Sequence, residues 1–399
     1  MRILCLASRL PYPPDRGDRL RAFNFIKQLS HDHELSLVSF VADESENEHQ
    51  QALLTYCREV RVLLMHRYRS AMSVLLNLWR RDPLQTLYYR SGAMRRLVGE
   101  VLAENQFDVV YVHLFRMAPY VAGYPNLYRV VDLTDVISQE VVRSLPYRGL
   151  AWRLLYSLER PRIERYERYV AETFEETWLI SDADRRVLAA DCPAANIRVV
   201  ANGVDVERFY PTGHPAEPNS LIFVGHLGVF HNVDAAVHLV RDVLPRVRRQ
   251  IPDCTLTLAG AEPSAQVVRL GEVPGVRVTG FVPDLNEHLN RAAVFVAPLR
   301  FAAGVQNKVL EAMAAGRPVV TTSVVNAGLG AQPGEEVMVS DDVTATAAQV
   351  IALLRNAELQ TRIGEAGRRF VRRTYDWGQV VRRMKEIERA QFGRAEAAR

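Results

Sequence analysis

The stretch AGVQNKVLEAMAAGRPVV, residues 303–320, places one lysine and one glutamate on an otherwise small, apolar helical pattern. Gly304 stands just before that pattern. A residue without a Cβ lets a ligand approach the backbone, and the first amides and positive dipole end of a helix favour an anion. Lys308 adds a full positive charge about one turn in, and Glu311, three residues later, can share its face. A diphosphate at the helix start, with a carboxylate accepting sugar hydroxyls, would use all three groups. An ordinary amphipathic helix with a surface Lys–Glu pair fits the same residues.

Such a site needs strand ends and helix starts to position it, and the sequence supplies them throughout. Apolar runs such as RILCLAS, LSLVSFV, DVVYVHL, YRVVDLTD, TWLIS and IRVVAN alternate with helical patterns. In DRLRAFNFIKQLS the apolar residues Leu20, Phe23, Ile26 and Leu29 recur on a helical period. After the turn-rich segment NGVDVERFYPTGHPAEPNS the alternation restarts with LIFVGHLG, CTLTLAGA, VRVTGFV, AAVFVAPL and RPVVTTS. Strands alternating with helices predict parallel sheets covered on both faces. The expected fold class is α/β, with two doubly wound, Rossmann-like domains facing each other across a cleft. The expected limits are 1–200 for the first domain, 201–375 for the second and 376–399 for a terminal helix. Ligands bind such sheets at the carboxyl ends of strands.

Of 399 residues, 50 are Lys or Arg and 46 Asp or Glu, a net charge of +4 that by itself argues for no polyanionic partner. No Gly-x-Gly-x-x-Gly follows the first strand and no P-loop occurs, which weighs against a dinucleotide dehydrogenase and a P-loop kinase. Cys5, Cys57, Cys192 and Cys254 are scattered without a Cys-x-x-Cys, as expected of reduced, buried thiols. The apolar run of MRILCLASRLPYPPDRGDR is too short for a signal peptide, and no run approaches the roughly 18 apolar residues of a membrane span.

Several motifs in order carry a family resemblance. NKVLEAMAAGRPVV resembles the E-x7-E…EAMA-G-PVV motif of the retaining, nucleotide-sugar-dependent glycosyltransferases of family 4, which have the GT-B fold. VVANGVDVERFYP is similar to that family's entry into its second domain, and VRVTGFVPDLNEHLNRAAVFVAPL and TYDWGQVVRRM to later stretches, the last a terminal helix that packs back on the first domain. PYPPDRGDRLRAFNFIKQLSHDHELSLVSF resembles a subgroup associated with PEP-CTERM/exosortase and exopolysaccharide clusters.

The resemblance implies that Glu311 hydrogen-bonds a ribose. The first Glu of the motif falls at Ala303, so the carboxylate that usually meets the donor sugar is missing. Where the family often has an Arg and a Lys gripping the diphosphate, this chain has His226 and His231. That leaves Lys308, the turn Gly304–Val305–Gln306 and Arg300 to hold phosphates. Gly225, Gly260, Phe281 and Val282 occupy the neighbouring donor-side loops, and Gly17 matches the glycine loop after the first strand. The family's first-domain His is replaced in VVDLTDVIS by Asp132 and Asp135, candidates with Lys308 for catalysis. Either carboxylate could orient an acceptor hydroxyl or stabilise positive charge on the sugar; a helix-capping Asp is the alternative.

The implied activity is transfer of a hexose, with retention and without a metal or other cofactor, from a nucleotide-diphosphate sugar to a glycan or polyprenyl-linked acceptor. The second reading is a catalytically weak nucleotide-sugar-binding partner of another transferase. Between Arg61 and Arg96 eight arginines are interleaved with Met72, Leu75, Leu76, Leu78, Trp79, Leu87, Tyr88 and Tyr89, with Asp82 the one acid. This predicts peripheral contact with an anionic membrane; no recognised nucleic-acid module accompanies the charge. The expected location is the cytoplasm, including the inner face of its membrane.

Overall fold

The structure is a computed structural model that describes residues 1–14, 17–302 and 304–382. The chain divides between Ala201 and Asn202 into two units. The first contains β1 (Arg2–Ala7), β2 (Glu34–Val41), β3 (Glu59–Leu64), β4 (Val109–His113), β5 (Tyr128–Thr134), β6 (Glu176–Leu179) and β7 (Ile197–Val199). They form one sheet in the order β3-β2-β1-β4-β5-β6-β7, every pair parallel. The order reverses between β1 and β4, the place where such a sheet opens a crevice for ligands. Burial on both faces explains why these strands read as unbroken apolar runs: Ile3 to Ala7 and Val109 to His113 are all buried.

The second unit repeats the plan with β8 (Ser220–Val224), β9 (Thr255–Ala259), β10 (Val276–Gly280), β11 (Val294–Ala297), β12 (Val319–Thr321) and β13 (Met338–Val339). Its order, β10-β9-β8-β11-β12-β13, is again parallel throughout. The NGVD and Y-x-W motifs meet within this unit. The Val204 amide donates to the Tyr375 carbonyl at 2.7 Å. A Cβ on Gly203 would sit 2.4 Å from a Trp377 ring atom, so only glycine fits over the indole. Of the expected terminal helix, residues beyond 382 lie outside the described residues.

Two expectations change. The helix Gly17–Leu29 buries Arg21, Phe25, Ile26 and Leu29, whereas Phe23 is half-buried. The helix is turned so that Arg21 reaches the sheet: its Nε donates to Asp132 Oδ2 at 2.6 Å and its Nη2 to Asp132 Oδ1 at 3.0 Å and the Val200 carbonyl at 2.9 Å. The basic patch also divides. Leu87 and Tyr89 belong to the core, and Arg61, on β3, is engaged by Glu59 and Glu104. Leu75, Leu76, Leu78 and Trp79 stay exposed. All four cysteines are free and buried.

Asp132 also accepts from the Tyr111 hydroxyl at 2.6 Å and the Thr134 amide at 3.1 Å. Against the upward push of complete burial, the Arg21 guanidinium and the His113 ring hold its carboxyl well below the usual range. Arg21→Met strands that carboxylate and should cost unit 1 about 3–5 kcal/mol in urea unfolding, with the Arg21→Met/Asp132→Leu pair recovering most of it. The pair's contribution is full above the unfolded carboxyl pKa of about 3.9 and is lost as pH falls below it. An Arg21→Met protein as stable as the parent would refute the structural role.

Candidate functional site

In unit 2 the candidate residues gather at the carboxyl ends of strands. Gly225 and His226 follow β8, Gly260 follows β9, and Phe281 and Val282 follow β10. The turn 304–306 leads from β11 into the helix Asn307–Ala314. Helix geometry begins at Asn307 rather than at Gly304, with Gln306 as its N-cap and no side chain capping it. Gly304 adopts φ 53°, a left-handed conformation natural to glycine. Close approach to this turn is used by the protein itself: a Cβ on Gly328 would sit 2.2 Å from the Gly304 carbonyl oxygen.

Lys308 is the electrostatic centre of this arrangement. Its Nζ donates to Asn232 Oδ1 at 2.6 Å and Gln306 Oε1 at 3.1 Å, and lies 5.8 Å from the Phe223 ring centroid. Both hydrogen-bond acceptors are neutral amides. Burial pulls the ammonium down to about 7, against the opposing pull of Glu311. Glu311 is pushed up to about 7 by burial, opposed by Arg208 and Lys308. Among the described residues no side chain hydrogen-bonds its carboxylate.

Asn232 joins two of the loops, because its Nδ2 donates to the His226 carbonyl at 3.0 Å while its Oδ1 holds Lys308. It needs the space left by Gly225, whose Cβ would lie 2.9 Å from Asn232 Cγ. Gly260, at φ 147°, needs the same freedom, since a Cβ there would fall 1.7 Å from the Gly225 carbonyl oxygen. Sequence reasoning missed Asn232. The signal was its place in VGHLGVFHN, six residues after His226, where a short polar side chain at a helix start can reach back to the strand end.

His226 lies on the loop after β8, His231 on the helix that follows it, and Arg300 on the loop after β11. His226 Nε2 lies 3.3 Å from Glu262 Oε2. His231 is half-buried in the first turn of the helix Phe230–His238. Arg300 does not face a ligand with its charge free: Asp234 takes its guanidinium in a two-pronged ion pair, with Nε to Oδ2 at 3.0 Å. Ala303 lies outside the described residues.

In unit 1 the two candidate carboxylates part company. Asp132 is 0 % exposed and spent on Arg21, Tyr111 and Thr134, with His113 Nδ1 3.6 Å away, so the expectation that it faces a substrate is corrected. Asp135 follows β5, half-buried, and its Oδ1 is enclosed without a hydrogen-bond partner. Burial, then Asp184 and Glu140, raise its carboxyl well above the usual range. Thr134 before it and Leu114 after β4 hold φ of 65° and 69°, strained values for side-chain-bearing residues at strand ends. Gly17 opens its helix from an exposed position.

Residues 218–356 match the family of glycosyl transferases group 1. The chain is 21% identical, over 94% of its length and 96% of the relative's, to a Klebsiella pneumoniae protein named "Uncharacterized 44.6 kDa protein in cps region". It is 28% identical to a GDP-mannose-dependent alpha-(1-6)-phosphatidylinositol monomannoside mannosyltransferase of Mycobacterium tuberculosis, over 53% of this chain and 61% of that one. Among solved structures it resembles sucrose-phosphate synthase of Thermosynechococcus elongatus (TM-score 0.74, 15% identity, 98% of this chain and 100% of that one). Anabaena Alr3699/HepE in complex with UDP gives a TM-score of 0.70 at 14% identity, over 98% of this chain and 100% of that one. The fold is GT-B, two Rossmann-like units in one chain, and the segment 218–356 matches the glycosyl transferases group 1.

Proposed function

We propose that the chain is a retaining glycosyltransferase that takes a hexose from a nucleotide-diphosphate sugar, without a metal, and delivers it to a glycan or polyprenyl-linked acceptor in cell-surface polysaccharide synthesis. The observation that carries this is Lys308: an ammonium held by two neutral amides beside an uncapped helix start, with a carboxylate one turn on. Breaking the sugar–phosphate bond leaves growing negative charge on the diphosphate. A preorganised ammonium and helix amides stabilise that charge where it appears. Glu311 accepts hydroxyls of the ribose, and Gly225, Gly260 and the 304–306 turn let the nucleotide close on the backbone, flanked by His226, His231, Phe281 and Val282. The departing phosphate itself takes the acceptor's proton.

The cps-region relative and the lipid-glycosylating mannosyltransferase support an acceptor of the cell-surface class. UDP in the structurally similar HepE supports a nucleotide donor. In unit 1, Asp135 is the carboxyl available to an acceptor hydroxyl, and Gly17 admits the acceptor or phosphates to the backbone. The exposed part of the Arg61–Arg96 region contacts an anionic membrane on its cytoplasmic side.

Lys308→Ala should reduce turnover of the cognate donor by about 10²–10³-fold with little change in thermal unfolding. Glu311→Ala should weaken nucleotide binding by about ten-fold or more, the loss of a hydrogen bond to a charged group. Full activity in both variants would end the assignment.

Proton linkage gives an independent check. At pH 8 the free Lys308, near 7, is mostly neutral, and a bound diphosphate raises its pKa. UDP binding by calorimetry in buffers of different ionisation enthalpy should therefore take up about one proton per site. At pH 6 uptake should give way to release, because Glu311, also near 7, is protonated in the free protein and ionises to accept ribose hydroxyls. In Lys308→Met the uptake at pH 8 should vanish; uptake unchanged by that substitution would assign the proton elsewhere.

A further inference from the structure

Unit 1 holds a cavity of about 490 Å³ away from both carboxylates discussed above. Arg80, Arg90, Arg95, Arg116 and Arg165 line it, against one acid, Asp82. Arg80 is the one that Asp82 engages, Nε to Oδ2 at 2.9 Å. Arg116 shares Asp18, at 3.7 Å, with Arg9, and burial drags its guanidinium below its ordinary value. Arg90, Arg95 and Arg165 have no carboxylate partner among the described residues. Tyr89, Tyr120, Tyr166 and Tyr169 supply rings and hydroxyls. A concave site with this excess of guanidinium forks fits phosphate oxygens better than any neutral ligand.

Exposed apolar side chains stand next to the lining residue Arg80. Trp79, next to Arg80 in sequence, is 78 % exposed, and Leu76 67 %. The Arg80 guanidinium stands 5.7 Å over the Trp79 ring. The helix Leu150–Thr173 is tied to the same turn: Arg162 Nη2 donates to the Leu78 carbonyl at 2.9 Å and Arg165 to that of Arg81. That helix carries Leu154, Leu155 and Leu158 into solvent, the last 73 % exposed. A strip of large exposed apolar side chains, on two elements joined at one turn, marks a surface that is covered in use. Its arginine border selects an anionic partner, and a soluble phosphate leaves the strip uncovered.

We infer that this cavity binds the phosphate or diphosphate head of an amphiphile whose apolar chain lies along the leucine–tryptophan strip. The site deepens the proposed acceptor role and rests on it only in taking the ligand to be the acceptor; binding itself depends on unit 1 alone.

The test is calorimetric titration of the full chain, saturated with UDP, with farnesyl diphosphate below its micellar range, inorganic pyrophosphate and farnesol. Farnesyl diphosphate should bind at least about ten-fold more tightly than pyrophosphate, and farnesol weakest. Arg90→Gln/Arg95→Gln/Arg165→Gln, three exposed positions, should weaken farnesyl diphosphate by about ten-fold or more at an unchanged thermal midpoint. Leu76→Ser/Trp79→Ser should weaken farnesyl diphosphate and leave pyrophosphate alone. Farnesyl diphosphate bound equally by parent and triple variant would overturn the site. Equal affinities for both diphosphates, untouched by Leu76→Ser/Trp79→Ser, would overturn the amphiphile in favour of a soluble phosphorylated compound. Failure of UDP to bind would count against the donor site in unit 2 and leave the unit 1 comparisons readable.

Discussion

A positive charge held by neutral amides organises unit 2. Lys308 is pulled into partial burial by the helix that carries it and is met there by Asn232 and Gln306, which solvate it without neutralising it. Moving an ammonium out of water is costly unless it is paired, and its lowered pKa records that cost. The neighbouring Arg300 shows the alternative, since Asp234 quenches its charge outright. The chain thus places a carboxylate against one cation and amides against the next.

The glycines follow from the same constraint. For Asn232 to hold Lys308 and the His226 carbonyl together, β8 must end in a residue without a side chain, and for β9 to close beside it Gly260 must turn through φ 147° onto the Gly225 carbonyl. The Gly260–Gly225 contact is backbone against backbone and leaves no room for relaxation. The loops after β8 and β9 and the start of the Asn307 helix are thus one packed assembly, which preorganises amides and ammonium before any ligand is present.

Much of this was legible in the sequence because both sheets are parallel and buried on both faces, so that nearly every strand announced itself as an apolar run. β3 and β13, less buried edge strands, did not. Lys308 and Glu311 were legible from their spacing. Asn232 was not, because its role depends on two loops far apart in sequence converging on it. The burial of Arg21 was not legible for the related reason that a helical period marks charged residues as outward-facing. Its burial is decided by Asp132, more than a hundred positions away. The exposed leucines of the Leu150–Thr173 helix were invisible as well, since a helix pattern alone does not say which apolar residues find a core.

The two units use buried charge in opposite ways, and the contrast separates structure from ligand binding. Arg21 and Asp132 match each other fully: two ionic contacts, a tyrosine hydroxyl, an amide and a carbonyl leave nothing over for a substrate. Such a pair adds specificity to the fold and is poorly suited to catalysis, because any reaction through Asp132 would have to break the network that holds Arg21 in the core. Lys308 and the Arg90–Arg95–Arg165 group lack that closure. The arginines line a cavity without carboxylate partners among the described residues and Lys308 is held by neutral amides, so an anion would complete either. Asp135 is the reverse case, an enclosed carboxyl oxygen without a donor. A hydroxyl brought to it would satisfy it. Unfulfilled electrostatics in a well-packed fold is therefore the physical mark that distinguishes these three places from the matched Arg21–Asp132 pair.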